Sequence, residues 1–366
     1  MKKRMTILEI VLLCGIWLVL SVCSWLKPAQ DISVSERRPL QQLPEITAES
    51  VLNTKFMSDF DAYTVDQFPF RDGFRTLKAL NAKHIFRQKD NNDIFLADGH
   101  AAKLDFTLNE TSLNHAATKL QNVYERFLAD TDANIYFSIV PDKNYYLAEP
   151  NGYPALDYNT LVQFFRDNLD FATYVDIFDT LTADDYYRTD SHWKQENIAK
   201  TVQALAEAMS LELTAEYEAV TVEKPFYGVY YGQAALPLQP DTITYLTNEM
   251  LENCTVYNVE NGKTTGVYDM EKLNSNDPYE VFLSGAAPIL YLENPTCHNG
   301  KELIVFRDSY GSSLVPLLAD AYSKITIVDT RYVVSHYLDQ FVDFSSADDV
   351  LFLYCTTLLN SSSTLK

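Results

Sequence analysis

An aspartate and a histidine two residues apart, in the stretch YYRTDSHWKQENIAK from Tyr186 to Lys200, can touch through their side chains within one turn. Asp190 would then hold the imidazole of His192 in a single tautomer, leaving the far ring nitrogen to take a proton from a hydroxyl. Ser309 follows the apolar run LIVF and precedes a helical pattern that begins near Ser312, so it is the candidate hydroxyl. A serine at such a strand-to-helix turn gains backbone N–H groups from the helix start, each able to stabilise a developing oxyanion by ~3 kcal/mol. The chemistry would be nucleophilic catalysis by a serine.

Each of these residues also has a plainer reading. Ser309, Ser312 or Ser313 can be a helix N-cap. Asp190 or Ser191 can cap the next helix, with His192 in its first turn and Trp193 packed on the core. As metal ligands, Asp190 and His192 lack a third partner at suitable spacing, no Cys-x-x-Cys or His/Cys cluster suggests zinc, and no cofactor is expected. Lys143 follows the strand YFSIV and Arg331 follows ITIVDT. Either can meet a substrate carboxylate or hydroxyl, or form a structural ion pair.

What positions these residues is an alternating α/β pattern. ELIVFRDSYG reads as strand and turn, SSLVPLLADAYS as helix, KITIVDTRY as strand, SHYLDQFVDF as helix and DVLFLYCTT as strand. Three apolar strands joined by two helices imply a parallel sheet covered on its faces, and ligands bind beyond the carboxyl ends of such strands. Ser309, Arg331 and Lys143 all fall at strand ends, and Asp190 and His192 follow VDIFDTL through a turn of their own. Upstream, DIFLADGHAAKLDF predicts a hairpin turning at Asp98-Gly99. Helices are predicted in SLNHAATKLQNVYERFLADT, LVQFFRDNLD and ENIAKTVQALAEAMSLE, and strands in NIYFSIV and ATYVDIFDTL. Residues 220–290, aromatic and Thr-rich, read as β hairpins inserted into this pattern. Residues 50–87 carry helical spacing broken at Pro69, which predicts two helices.

The N-terminus differs in kind. Lys2, Lys3 and Arg4 precede an apolar run from Ile7 to Leu26 that is long enough to span a bilayer, and the leading cations favour exporting everything after Pro28. A cleaved signal peptide is the alternative, although no A-x-A-like site follows. The expected organisation is an anchor over 1–28, an extended stalk over 29–49 and one extracytoplasmic domain over 50–366. The formal charge of −21 becomes −24 once the anchor's four cations and one anion are set aside. Such a surface repels phosphate backbones and excludes nucleic acid as a partner class. Cys355 reads as a core thiol, and Cys254 with Cys297 as a pair free to bond if the fold brings them together.

Four blocks in order, ERRPLQQLPE, DQFPFRDGFRTLKALNAK, YYRTDSHW and FRDSYGSSLVPLLADAYSKITIVDTRY, together resemble the DHHW family of exported bacterial proteins. That family is similar in turn to the alginate O-acetylation proteins of the SGNH-hydrolase superfamily. The resemblance implies an α/β/α sandwich around a parallel sheet, with Asp-x-His preceding the nucleophilic serine. It makes Asp190 the orienting carboxylate, His192 the general base and acid, and Ser309 the acylated residue, with Arg331 lining the site. The implied reaction moves an acetyl group to a hydroxyl of a cell-surface or secreted polysaccharide, the acetyl being delivered by a multipass membrane acyltransferase. An esterase uses the same residues with water as acceptor, and a noncatalytic glycan-binding or scaffold component is the reading from another class. Two departures bear on the choice: Ser191 stands where the family has its first His, and in FLSGAAP Ala286 stands after Gly285 where relatives commonly show an Asn, so that if that Asn supplied an oxyanion donor this protein would lack it.

Overall fold

The computed structural model describes residues 2–366, with side chains from Met5 onward; Met1 of the expected anchor and the side chains of Lys2, Lys3 and Arg4 lie outside the described residues. Helix α1 (Lys2–Leu26) contains the segment Met5–Leu26, 22 residues that include an 18-residue stretch of mean hydropathy 2.4, long and apolar enough to cross a membrane. The chain forms two compact units. One comprises the residues through Asn91 together with Tyr231–Pro237, and the other Asn92–Tyr230 with Leu238–Lys366.

In the first unit, residues 29–49 are more than a bare stalk. They hold an antiparallel pair, β1 (Ile32–Ser33) and β2 (Arg38–Pro39), and are tied to the helices that follow. Arg38 donates to both oxygens of Asp66, at 2.6 and 2.9 Å, and the Gln67 amide accepts from the N–H of Gln30 and donates to its carbonyl. The helical stretch divides into three elements instead of two: α2 (Ala48–Leu52), α3 (Lys55–Asp66) and α4 (Arg71–His84). The break at Pro69 is present. The additional one falls at Thr54, whose left-handed φ of 62° cannot continue a helix.

The hydrogen bonds from Arg38 hold the Asp66 carboxyl down to about 2. A carboxylate depressed in the folded state stabilises the fold above its unfolded range, near 4, and that stabilisation is lost as pH falls through the folded value. Asp66→Asn should therefore lower stability at neutral pH and flatten its decline between pH ~4 and ~2. Chemical denaturation across that range measures both, and an unchanged acid limb would remove Asp66 from this role.

The second unit begins with the predicted hairpin, β3 (Ile94–Ala97) and β4 (His100–Lys103), closed by Asp98 and Gly99 with φ of 49° and 82°. Both central residues of a type I′ turn need positive φ, which is why an Asp-Gly pair sits there. Next come α5 (Glu110–Val123), β5 (Asn134–Val140), α6 (Tyr158–Asn168), β6 (Thr173–Tyr174) and α7 (Ala199–Ala208). The strand expected in ATYVDIFDTL stops after two residues, where the Asp176 carboxylate takes the N–H of Phe178 and turns the chain into a 3-10 segment.

The aromatic region divides. β7 (Glu218–Phe226) and β8 (Asp241–Thr247) form a ribbon of their own, whereas β9 (Thr255–Asn258), β10 (Lys263–Thr265) and β11 (Ile289–Glu293) extend the main sheet. That sheet is completed by β12 (Glu302–Arg307), β13 (Lys324–Val328) and β14 (Asp349–Cys355), in the order β10-β9-β11-β13-β12-β14-β5-β6. From β13 to β6 neighbouring strands are parallel, and β11, β9 and β10 add on antiparallel.

Faces alternate along β12: Leu303 and Val305 belong to one apolar cluster with Val202 and Leu205 of α7, while Ile304 and Phe306 belong to another with Leu120 of α5 and Phe165 of α6. A strand buried on both faces reads as a continuous apolar run, and the result is the expected α/β/α sandwich. The segment after Ser309 is only four residues of α-helix, α8 (Gly311–Leu314), before 3-10 structure takes over at Val315–Ala321, because Pro316 removes a backbone donor. All five cysteines are unpaired: Cys254 packs against Met250, burial pushing its thiol up to about 12, and Cys355 is a core thiol.

Candidate active site

The turn that carries Asp190 is fixed before any side chain of the site is considered. Tyr186 and Trp193 bridge antiparallel, and the N–H of Tyr187 donates to the carbonyl of His192 at 3.0 Å. Asp241 on β8 accepts from the backbone of Arg188 and Thr189 and from the Thr189 hydroxyl. The Lys143 ammonium, buried, donates to the carbonyls of Tyr187 and Arg188 at 2.8 and 3.3 Å and lies 5.0 Å from the ring of Tyr230. Burial pulls that amine down to about 7, partly offset by the charges of Asp190 and Asp241. Lys143, expected as a possible substrate contact, thus braces the turn from inside.

Asp190 is fully buried and its two oxygens are shared out. Oδ1 accepts from His192 Nδ1 at 2.6 Å and from the His192 N–H at 3.1 Å, and Oδ2 accepts from the N–H of Val229 at 2.8 Å. With Nδ1 occupied, Nε2 faces the Ser309 hydroxyl at 2.7 Å. The imidazole is packed as well as bonded: Tyr279 stacks on it at 3.9 Å and 9°, and Tyr310 lies 5.0 Å away. Asp190 and Ser191 cap no helix, since α7 starts only at Ala199 after a 3-10 turn.

Gly228 sets the clearance on the carboxylate side. A Cβ there would stand 2.3 Å from Cβ of Asp190 and 2.4 Å from the carbonyl of Thr189, a clash with backbone that no rotamer relieves. Gly228→Ala should cost about 1–3 kcal/mol through overpacking and displace Asp190 from His192. Thermal unfolding and ester hydrolysis together check this, and wild-type values in both would show that the loop yields freely.

Ser309 follows β12 in a turn made by its neighbours. Asp308 accepts from the N–H of Tyr310 at 3.0 Å and from that of Cys355 on β14 at 2.7 Å, which pins the turn to the adjacent strand. The helix-start donors expected to face an oxyanion are already engaged: Gly311 and Ser312 donate to the carbonyls of Asp308 and Ser309. Among the described residues, no acceptor meets the N–H of Ser309 itself. Gly285, with φ +84°, donates its N–H to Phe282 at 3.2 Å, which commits that donor to its own turn. Ala286 beside it is exposed.

Several site residues escaped the sequence reading. Arg307, 1% exposed, donates to the carbonyls of Asp308 and Gly285, both at 3.3 Å, so it ties the Gly285 turn to the nucleophile turn. A charged residue ending an otherwise apolar strand was the available signal. Its guanidinium also lies 3.8 Å from Asp329, which receives Arg331 in a bidentate pair at 2.9 and 2.6 Å. Burial would lower Arg331, but the paired carboxylate prevails and holds it above its ordinary range. Ser313 is a second hub: its hydroxyl meets Trp193 Nε1 and the Tyr279 hydroxyl, both at 2.9 Å, so one serine aligns the indole and the ring stacked on His192.

An imidazole hydrogen-bonded on one side to a buried carboxylate and on the other to a partly exposed hydroxyl can accept that hydroxyl's proton as it attacks an acyl carbon. Similar architectures exist among solved structures. A DHHW family protein from Eubacterium siraeum matches 75% of this chain and 95% of its own, with 23% identity and a TM-score of 0.61. PatB1 of Bacillus cereus, in a structure with a sulfonyl adduct, matches 73% of this chain and 94% of its own, with 17% identity and a TM-score of 0.56; a second PatB1 structure gives the same identity and score. No curated protein matches by sequence. Residues 174–328, which include Asp190, His192 and Ser309, match the family model described as DHHW protein, a span that holds YYRTDSHW and most of the last of the four blocks that carried the resemblance.

Proposed function

We propose that the protein is an acyltransferase or esterase of the SGNH type that acts on ester-bearing or hydroxyl-bearing glycans at the cell envelope. The observation that carries this is the continuous relay from Asp190 through His192 to Ser309, at 2.6 and 2.7 Å. In the forward step His192 takes the proton of Ser309 as Oγ bonds to the acyl carbon. It then returns a proton to the departing oxygen, leaving an acyl-serine and a free alcohol. A polysaccharide hydroxyl, or water, next attacks the acyl-serine with His192 again as base, which releases the acylated polysaccharide, or with water the free acid, and restores Ser309.

An acetyl group and a polysaccharide acceptor follow from the resemblance to the DHHW and alginate O-acetylation proteins, as does a multipass membrane acyltransferase as the donor. PatB1, whose fold this chain shares, is known with a sulfonyl adduct, and sulfonyl electrophiles trap activated nucleophiles. The N-terminal helix would keep the enzyme at the membrane, with its catalytic unit outside the cytoplasm.

Treatment of the full chain with a fluorophosphonate, followed by peptide mass spectrometry, is the direct test. A single adduct on Ser309, formed by a protein that also hydrolyses a chromogenic acetyl ester, is the expected result. Neither labelling nor hydrolysis would favour the noncatalytic scaffold, in keeping with Ser191 and Ala286.

A further inference from the structure

Charge is distributed unevenly along the chain. Residues 28–91 contain nine basic and nine acidic side chains, so residues 92–366 carry the whole −24. Within the neutral stretch the signs separate again: from Arg71 to Lys89 there are six basic residues against the single Asp72, and with Arg71 and Arg75 turned to Glu36 the outward cations are Lys78, Lys83, Arg87 and Lys89. This run is α4 and the five residues after it.

α4 has two faces. Ala79 and Ala82 are buried, while Phe70, Phe74, Leu77 and Ile85 recur at helical spacing on the other side and are 67%, 45%, 53% and 68% exposed. Phe86, just beyond, is 72% exposed. Lys78, Lys83 and Arg87 are exposed among them. Apolar side chains left outside a folded unit and interleaved with cations are the pattern of a helix that lies in a membrane interface.

Placement points to the same surface. Gln30, four residues past the end of α1, is clasped by the amide of Gln67, and a cavity of about 440 Å³ is lined by Lys27 at the foot of α1 together with Phe70 and Gly73 of the α4 start. The beginning of α4 therefore sits where the membrane-crossing helix emerges.

We propose that α4 rests on the leaflet next to the C-terminal end of α1, its exposed phenylalanines and leucine entering the headgroup and acyl boundary and its cations meeting anionic headgroups. The acidic second unit would be repelled by that surface, and the cationic segment gives the anchored chain a side that is attracted to it. This inference rests on α1 crossing the membrane, and the test separates the two.

Full-length chain, with Cys14, Cys23 and Cys297 replaced by serine, is spin-labelled singly at Val11→Cys, Leu77→Cys, Ile85→Cys or Lys119→Cys and placed in nanodiscs containing one anionic lipid in three. Collision with oxygen and with a water-soluble nickel chelate is then measured. The expected result is an oxygen preference at Val11, Leu77 and Ile85, and a nickel preference at Lys119. Oxygen preference at Val11 with nickel preference at Leu77 and Ile85 would keep the anchor and overturn the interfacial helix. Loss of the preference at Val11 would overturn the anchor itself. Shielding of Leu77 and Ile85 from both reagents in native membranes, but not in nanodiscs, would also overturn the proposal by assigning the face to a membrane protein.

Discussion

Ser309→Ala is expected to lower acetyl-ester hydrolysis by ~10⁶-fold, the scale on which a serine nucleophile's removal acts, and to abolish fluorophosphonate labelling. The fold should be indifferent to the change. Ser309 is partly exposed, and the bond its side chain makes is to His192 Nε2, which water can replace at that site. The turn around it is held by Asp308, through Tyr310 and Cys355, and by Arg307, none of which the substitution touches. Stability should therefore stay within ~0.5 kcal/mol of wild type, as for most substitutions away from packed or bonded features. Hydrolysis by the variant within tenfold of wild type, with its melting temperature unchanged, would place the nucleophile elsewhere.

The parts of this molecule that were legible in its sequence are those governed by local periodicity. ELIVF, KITIV and DVLFLY became parallel strands because runs apolar at every position suit a sheet buried on both faces. Asp98-Gly99 announced its turn through the φ values it needs. The place of Ser309 just past its strand followed from the rule that sites lie beyond the carboxyl edge. The support beneath them did not show. Arg307, Tyr279, Ser313 and Gly228 are separated from their partners by between 22 and 120 residues or belong to irregular segments, so no spacing rule reaches them. Lys143 was visible but ambiguous, since a lysine after a strand gives no sign of whether its stem runs inward to two carbonyls or outward to substrate. The helix-start donors were misjudged because α8 is so short that the turn consumes them. Local sequence fixes which groups are available, whereas the competing acceptors come from the fold.

Asp190→Asn should lower turnover by ~10⁴-fold while leaving the chain folded. The carboxylate receives three N–H groups: Nδ1 and the backbone of His192 on Oδ1, and the backbone of Val229 on Oδ2. An amide has one oxygen and two hydrogens of its own, so it cannot serve all three. If its oxygen turns to Val229, its NH₂ faces Nδ1, the ring proton moves to Nε2 and the base is lost. If its oxygen turns to His192, the tautomer survives, but Val229 N–H meets a donor and no negative charge balances the imidazolium formed as Ser309 attacks. Either way the chemical step suffers more than binding, so kcat should fall with KM little changed, which steady-state hydrolysis of the acetyl ester measures. Stability should drop by about 1–3 kcal/mol, the cost of leaving one buried donor unmet. A variant that keeps kcat within tenfold of wild type would show that His192 is oriented well enough by Tyr279 stacked on its face, and that Asp190 is there to hold the turn.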